Sequence, residues 1–345
     1  MSLRLIAASL GLSVTTVSRA LGNYPDVAEE TRRRVFEEAL RIGYVPNAMA
    51  RRLQKGRADA IGVAAPSGPG AMEDSYLYSA FVGAWSRLAE LGQDLVLLPA
   101  GDDERGTVPT DKSTRAFTRA VEERRVDGVL LVRPHRIDPR VDDLKRAGLP
   151  FVMLGAEMRD DPDVIAIGTD NRAAATKICD RLETLGHRGF ACVTPTGDYD
   201  FTMSRLEHLR ETAATRGMSV RATSSYMSED GGRQATEKLL AASDGPPSAL
   251  VFLTNRMAIG GLAALAASPW VVGRHVSVIT FGDSPTLRWG QPATTAIQSP
   301  MFDMSRHAID ALMGLCERRP IEPIRRWAPT LVVRQSDGPP VPIEG

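Results

Sequence analysis

The sequence predicts an α/β protein led by a small all-helical module. In residues 3–42 apolar side chains recur at helical spacing, and from residue 61 onward short β-rich runs alternate with amphipathic stretches. A third observation separates the two parts. Residues 1–57 hold ten Lys and Arg against five acids, while the remainder holds 32 against 37, so a net charge of zero hides a basic front end. Positive charge gathered at one end suits a polyanion, because neutralising phosphates releases condensed counterions. A solvated basic face gives the same count, so charge alone decides nothing.

At 345 residues the chain exceeds one core and fits about two ordinary domains plus a small module. No apolar run reaches the roughly 18 to 20 residues of a membrane helix, and the stretch from Gly261 to Val272 is broken by Ser268 and Pro269. Cys179, Cys192 and Cys316 are odd in number and far apart, which indicates neither a disulfide framework nor a zinc site and fits a reducing cytoplasm. One basic residue precedes the apolar stretch Leu5 to Leu10. Thr15, Thr16, Ser18 and Arg19 then stand where an export signal needs its apolar run and cleavage site, so a cytoplasmic protein is expected.

The front module reads element by element. Ser2 can cap a first helix that buries Leu3, Ile6, Ala7 and Leu10, and Gly11 can end it in the left-handed conformation. Ser13 caps a second helix. Ala7, Ala8 and Ala20 let the two cross closely, Leu12, Val17 and Leu21 make the contact, and Val14, Thr15, Ser18 and Arg19 are left outward. Those outward side chains are what a major groove requires: the planar fork of Arg19 matches guanine O6 and N7, while Val14 and the Thr15 methyl can meet a thymine methyl. A third helix, Ala28 to Ile42, buries Val35, Ala39 and Ile42, exposes Thr31 to Arg34, and ends at Gly43. Ala28 lacks a capping hydroxyl, although Glu29 and Glu30 suit the helix dipole. From Pro46, Asn47 to Gln54 can form two helical turns, too short to be stable alone. It reads as a hinge that folds when two copies pair over DNA, with Leu53 as a wedge between base steps; a plain surface linker is the alternative.

The runs Ser13-Val14-Thr15-Thr16-Val17-Ser18-Arg19-Ala20-Leu21, Val27-Ala28-Glu29-Glu30-Thr31-Arg32 and Gly43-Tyr44-Val45-Pro46-Asn47-Ala48-Met49-Ala50-Arg51-Arg52-Leu53 closely resemble the headpiece and hinge of LacI/GalR-type transcriptional regulators. The resemblance implies that Val14, Thr15 and Arg19 read bases and that Ser13, Thr16, Thr31, Tyr44 and Asn47 hold phosphates. It also implies that Ala50 and Leu53 enter the minor groove, with Ser18, Arg32 and Arg51 completing the contacting set. Ala28 and Leu5 depart from the family, which usually has a capping Ser and an acid there.

Strand-like runs follow at Ile61 to Ala64, Leu95 to Leu98, Val126 to Val132, Phe151 to Leu154, Val164 to Gly168, Phe190 to Val193, Leu250 to Leu253 and Val276 to Phe281. Helices such as Ala80 to Leu91, Asn171 to Leu185 and Ser204 to Arg216 lie between them. Strict alternation means parallel sheets covered on both faces, and this many units suggests two. Thr169-Asp170-Asn171, Leu185-Gly186-His187-Arg188, Met257-Ala258-Ile259-Gly260 and Pro292-Ala293-Thr294-Thr295-Ala296 are similar to landmarks of that family's two-lobed, periplasmic-binding-protein-like core. The expected organisation is a helix-turn-helix domain over 1–45, a hinge and linker over 46–57, an effector-binding and dimerisation core over 58–335, and a tail over 336–345. The resemblance places lobe one near 60–160 and 288–318, and lobe two near 161–287 and 319–335.

A ligand of such a core sits between the lobes, at the carboxyl ends of the strands. The resemblance puts a gripping Arg at Arg205, whose five fixed donors suit vicinal hydroxyls or a carboxylate. Asp283 can accept from sugar hydroxyls, and Tyr76, Phe201, Tyr226 and Trp289 can stack on a sugar face; rim packing is the alternative for the aromatics. The family's usual Gly-Phe-Asp-Asp stands here as Thr280-Phe281-Gly282-Asp283, and its usual Asn-Asp before x-Met-Ala as Thr254-Asn255.

Enzyme signatures are missing: Gly68-Pro69-Gly70 lacks a third glycine, and neither GxxxxGK nor GxSxG occurs. The five His stand apart, and His187 reads as a structural hydrogen-bonding residue. No cofactor and no metal are expected. The expected function is a sequence-specific DNA-binding regulator, a homodimeric repressor on a pseudo-palindromic operator, switched by a small carbohydrate effector. The core alone also suits a solute-binding protein of a sugar transport system, for which export discriminates. A sugar-processing enzyme with an accessory DNA module is a third reading, open to a turnover assay.

Overall fold

The computed structural model describes residues 2–22, 24–44, 57–66, 73–99, 111–157, 164–243, 245–321 and 326–341; the side chains of 111–114 are outside the description. Residues 1–59 and 60–345 form two separate compact units.

In the front unit, α1 (Leu3–Leu10), α2 (Val14–Leu21) and α3 (Glu29–Arg41) close over Ile6, Ala7, Val17, Ala20, Val27, Val35 and Ala39. Leu3, Leu10, Leu12, Leu21 and Ile42 pack partly buried against them, as the helical spacing predicts. Gly11 takes φ 65° after α1, and the Ser13 side chain accepts from the Thr16 backbone N–H at 3.0 Å. Two expectations change. Ser2 stands at the cap position but its side chain makes no capping bond, and Ala8 is exposed rather than in the crossing. The hinge lies outside the described residues.

The larger unit holds two sheets among its described residues. In lobe one the strands β1 (Ala60–Ala65), β2 (Asp94–Pro99), β3 (Gly128–Val132), β4 (Phe151–Leu154) and β5 (Ile165–Ile167) run parallel in the order β2-β1-β3-β4-β5. The inner strands are continuous apolar runs because helices cover both faces. One face receives α4 (Ser75–Glu90) and α12 (Met301–Cys316), through Leu77, Ala84, Leu88, Met304, Ile309 and Leu312. These helices approach so closely that a Cβ on Gly83 would lie 2.4 Å from the Phe302 carbonyl oxygen. Helices α5 (Asp111–Glu122) and α6 (Pro139–Ala147) complete the lobe.

Lobe two is built on β6 (Gly189–Pro195), β7 (Ser219–Ser225), β8 (Ala249–Phe252), β9 (Ser277–Phe281), β10 (Thr295–Gln298) and β11 (Thr330–Val332), in the order β11-β10-β9-β8-β6-β7. All pair parallel except β11 on β10. Around them lie α7 (Asn171–Thr184), α8 (Asp200–Thr215), α9 (Glu229–Leu240), α10 (Asn255–Ala266) and the short α11 (Pro285–Trp289).

The expected lobe boundaries shift. β5 belongs to the first sheet, and β10 to the second, so the chain returns to lobe one after Gln298 rather than near residue 288. Nor do residues 336–341 trail as a tail. Ser336 is fully buried, donating to the Val278 carbonyl at 2.6 Å and accepting from the Thr295 N–H at 2.8 Å, and Asp337 accepts from Arg181 Nε at 2.5 Å.

His187 fastens that segment. It is buried, with Nδ1 2.9 Å from Ser248 Oγ and Nε2 3.0 Å from the Gly338 carbonyl oxygen and 3.1 Å from Ser277 Oγ. Burial pushes its pKa below the ordinary value, so the unfolded chain takes up the proton first. Its contribution to stability is therefore complete above about 6.5 and is lost as pH falls toward the folded-state pKa. Thermal melts at pH 7.5 and 5.5 should show a smaller drop in Tm for His187→Gln than for the wild type; an equal drop would assign the acid sensitivity elsewhere.

Candidate functional site

Two places gather chemistry, one in each unit. On the front unit α2 presents Val14, Thr15 and Arg19 as exposed side chains, with Thr16 and Ser18 half-buried beside them. Ser13 Oγ lies 2.8 Å from Thr16 Oγ1, so the two hydroxyls already share one bond. The Arg19 guanidinium is ion-paired with Asp26 and sits 4.8 Å from the centroid of the Tyr24 ring. The hydrogen bond to Arg19 holds the Asp26 carboxyl below the usual carboxylate range. Thr31 and Tyr44 are half-buried, Tyr44 against the helical core. Arg32, expected on the outer face, turns inward instead: its Nη2 donates to the carbonyls of Tyr24 at 2.9 Å and Val27 at 3.1 Å. A long cation beside a turn whose carbonyls can accept a further bond finds partners there before it reaches solvent. Asn47, Ala50, Arg51 and Leu53 lie outside the described residues.

The second place is the seam between the lobes, where strand ends of both sheets converge. From lobe one come Asp74 and Tyr76 at the start of α4 and Arg133 just past β3; from lobe two come Tyr199, Phe201 and Arg205 at the start of α8. The Tyr76 and Phe201 rings stack at 6.5 Å and 19° across the seam. Arg205, 8% exposed, lies 4.7 Å from the Phe201 centroid and 4.5 Å from that of Phe281, and its Nη1 donates to the Leu253 carbonyl at 2.7 Å. Burial pulls its pKa down to about 10. Arg133 is buried too, stacked 5.1 Å from the Tyr76 centroid and ion-paired with Asp74, which also caps α4 by accepting from the Tyr76 N–H at 2.8 Å. Burial opposes its charge, but Asp74 more than offsets this and its pKa is raised. Three buried polar atoms at the seam, Arg133 Nε, Arg205 Nε and Tyr76 Oη, have no hydrogen-bond partner among the described residues. Burial pushes the Tyr76 hydroxyl to about 12, so it stays a donor.

Local backbone geometry makes room for this cluster. Arg133 has φ 56°, a conformation costly for a side-chain-bearing residue and common at functional sites. Gly155, at φ 89°, leaves the space that a Cβ would take 2.1 Å from Tyr76 Oη. One flank of the seam is zipped: His135 stacks on Tyr199 at 4.7 Å, His135 Nδ1 is 2.9 Å from Asp198 Oδ1, and the Asp200 carboxylate accepts from the Glu157 N–H at 2.6 Å. On the other, Asn255 Nδ2 donates to Ser75 Oγ at 2.5 Å and Ser75 Oγ donates to the Asp283 carbonyl at 3.1 Å.

The structure thus brings Tyr76, Phe201 and Arg205 together. Asp283 borders the seam through its backbone, but its carboxylate already accepts from Arg334 at 2.7 Å and Arg288 at 3.0 Å, which removes it as a free acceptor for sugar hydroxyls. Tyr226 and Trp289 are 48% and 80% exposed, unlike the largely buried rings of the cluster. Arg133 and Asp74 escaped the sequence reading, which named Asn255 only as a departure from the family's pattern. The one signal for Arg133 is its place directly after a buried β-rich run, where strand ends carry ligand contacts.

Among the described residues no group of three or more His, Cys, Asp or Glu could hold a metal, and no helix is long and apolar enough to cross a membrane.

Because Arg133 and Asp74 are 7% and 1% exposed, removing one partner strands a buried charge. Asp74→Ala should destabilise the protein by about 3–5 kcal/mol, and Asp74→Ala with Arg133→Met by much less. Urea denaturation of both variants measures this; equal losses would mean that the cap rather than the ion pair matters.

Comparison with known proteins bears on both places. A model described as "Bacterial regulatory proteins, lacI family" matches residues 2–47, and one described as "Periplasmic binding protein-like domain" matches residues 179–336. The HTH-type transcriptional regulator AglR of Rhizobium meliloti is 30% identical, covering 98% of this chain and 94% of its own length. RafR of Escherichia coli, another HTH-type transcriptional regulator, is 38% identical over 60% of this chain and 59% of its own. Among solved structures, a transcriptional regulator CelR–cellobiose complex superposes with a TM-score of 0.72 at 26% identity, covering 97% of this chain and 99% of the other. A lac repressor dimer bound to operator and the anti-inducer ONPF gives 0.82 at 21%, covering 98% and 99%.

Proposed function

We propose a mechanism from the premise that this chain belongs to the LacI family of bacterial regulatory proteins, and so is a DNA-binding transcriptional regulator, whose front unit reads an operator under control of the seam. The protein acts as a repressor, in the cytoplasm where its DNA is, and carries out no catalysis of its own. The transport alternative loses its ground, since a relative matched over 98% of this chain is a regulator with the same helix-turn-helix front end.

Val14, Thr15 and Arg19 meet base edges in the major groove, while Ser13, Thr16, Ser18, Thr31 and Tyr44 hold phosphates. Arg32 is assigned instead to bracing the turn between α2 and α3. In the connecting segment Asn47 keeps the phosphate-holding role and Ala50 and Leu53 the minor-groove roles that the resemblance implies, with Arg51 in the contacting set. Two copies occupy neighbouring half-sites of a pseudo-palindrome. Tyr78, Trp85 and Leu97, all more than half exposed on α4 and β2, supply apolar surface for that dimer.

The effector is a small carbohydrate held at the seam. The observation that carries this is the pair of buried guanidiniums framing stacked rings, with three polar atoms still to be satisfied. A sugar offers both faces such a site needs, C–H patches for Tyr76 and Phe201 and hydroxyl oxygens for Arg133, Arg205 and Tyr76. Because the site draws residues from both lobes, the effector favours one lobe arrangement over another, and only that difference can shift operator affinity.

Arg205→Ala should leave operator binding without effector within about threefold of the wild type, and should abolish the effector response. A thermal-shift screen against mono- and disaccharides identifies the effector, and operator binding by fluorescence anisotropy reads the response. A normal response in Arg205→Ala would refute the assignment of the seam.

A further inference from the structure

The turn joining α2 to α3 holds Arg19 from three sides. The Tyr24 N–H donates to the Arg19 carbonyl at 3.1 Å, the Tyr24 ring lies 4.8 Å below the guanidinium, and the Asp26 carboxylate is paired with Nη2. The turn itself is fixed by Arg32, which bonds the carbonyls at both ends of the Tyr24 to Val27 stretch. Gly22 makes the ring's position possible, since a Cβ there would lie 2.9 Å from Tyr24 Cε2.

The pair is open to water, with Arg19 and Asp26 side chains 44% and 55% exposed, so it adds little to folding stability. Its effect lies in geometry. A free arginine at the edge of a recognition helix has two competing partners, the acceptor pair of a guanine and the nearest phosphate. A carboxylate on Nη2 and a ring beneath the plane fix the fork's direction and leave its remaining donors available. The same carboxylate brings a negative charge toward DNA, which weakens binding to any sequence.

We propose that Asp26, supported by Tyr24, is a specificity-determining residue: it holds Arg19 for base reading, keeps it from serving as a phosphate contact, and trades general affinity for discrimination. The proposal rests on the reading of Arg19 as a base-contacting residue. Asp26 is a positioning residue, acting only through Arg19.

The test uses the full chain and a pool of randomised duplexes, with the bound fraction sequenced for the wild type, Asp26→Asn, Arg19→Ala and the double variant, and the affinity for one unrelated duplex measured beside it. Arg19→Ala should erase the preference at one base pair of each half-site. Asp26→Asn should weaken that same preference by about tenfold while leaving the other positions unchanged. It should also bind the unrelated duplex a few-fold more tightly, and add nothing in the Arg19→Ala background. Opposite movements of selectivity and general affinity do not arise from a damaged fold, and Asp26→Ser at this exposed position should repeat them. An unchanged motif in Asp26→Asn, or a uniform loss at all positions, overturns the proposal. If Arg19→Ala itself leaves the motif intact, the reading of Arg19 fails first and the proposal falls with it.

Discussion

Two guanidinium groups buried where the lobes meet constrain the rest of the larger unit. Taking such a charge out of water costs several kcal/mol. The chain bears it by pairing Arg133 with Asp74 and by laying Arg205 between the rings of Phe201 and Phe281. Each device has a structural consequence. Arg133 reaches Asp74 from a left-handed backbone just past β3, Asp74 is at once the ion-pair partner and the cap of α4, and Gly155 yields the volume taken by the Tyr76 hydroxyl. A sheet with its strand ends elsewhere could not bring these groups together. On the proposed reading of the seam, the two sheets matter for function through where their carboxyl ends point.

Burial of charge with donors left over is a poor way to stabilise a fold and a good way to recognise an oxygen-rich ligand. An apolar seam would be cheaper to close and would have nothing to say about hydroxyl positions. The helical front unit treats charge differently. Of its basic residues, Arg33 is paired with Glu30 and Glu37, Arg41 with Glu38, Arg19 with Asp26, and Arg32 bonds backbone carbonyls. The basic excess of residues 1–57 therefore overstates how many of the described cations stand free to meet phosphates.

What was legible in the sequence follows the range of the interactions concerned. Ser13 capping α2, Gly11 ending α1 and the burial of Val17, Val35 and Ala39 depend on neighbours within a turn or two, and residue spacing carries that information. The inner strands β1, β3, β4, β6, β8 and β9 were equally clear because burial on both faces forces continuous apolar runs. β7 was not, since this edge strand reads Ser219-Val220-Arg221-Ala222-Thr223-Ser224-Ser225 and is largely exposed. Nor could spacing show that β10 joins the second sheet, that Ser336 and Asp337 are sewn beneath it, or that Arg133 meets a carboxylate 59 positions earlier. Of the predicted seam residues, Tyr76, Phe201 and Arg205 assemble, whereas Asp283 is drawn away by Arg334, a partner 51 positions distant. Arg32 looked outward by helical phase, yet two local carbonyls turned it in.

The central claim is that the seam and the reading helix share one equilibrium, and linkage makes it measurable. Operator affinity should be determined with and without saturating effector, and effector affinity with and without saturating operator, on the same full-length protein and at the same salt. The account predicts that the two ratios are equal and differ from one by about 5- to 150-fold. An effector that binds at the seam while both ratios remain at one would contradict it.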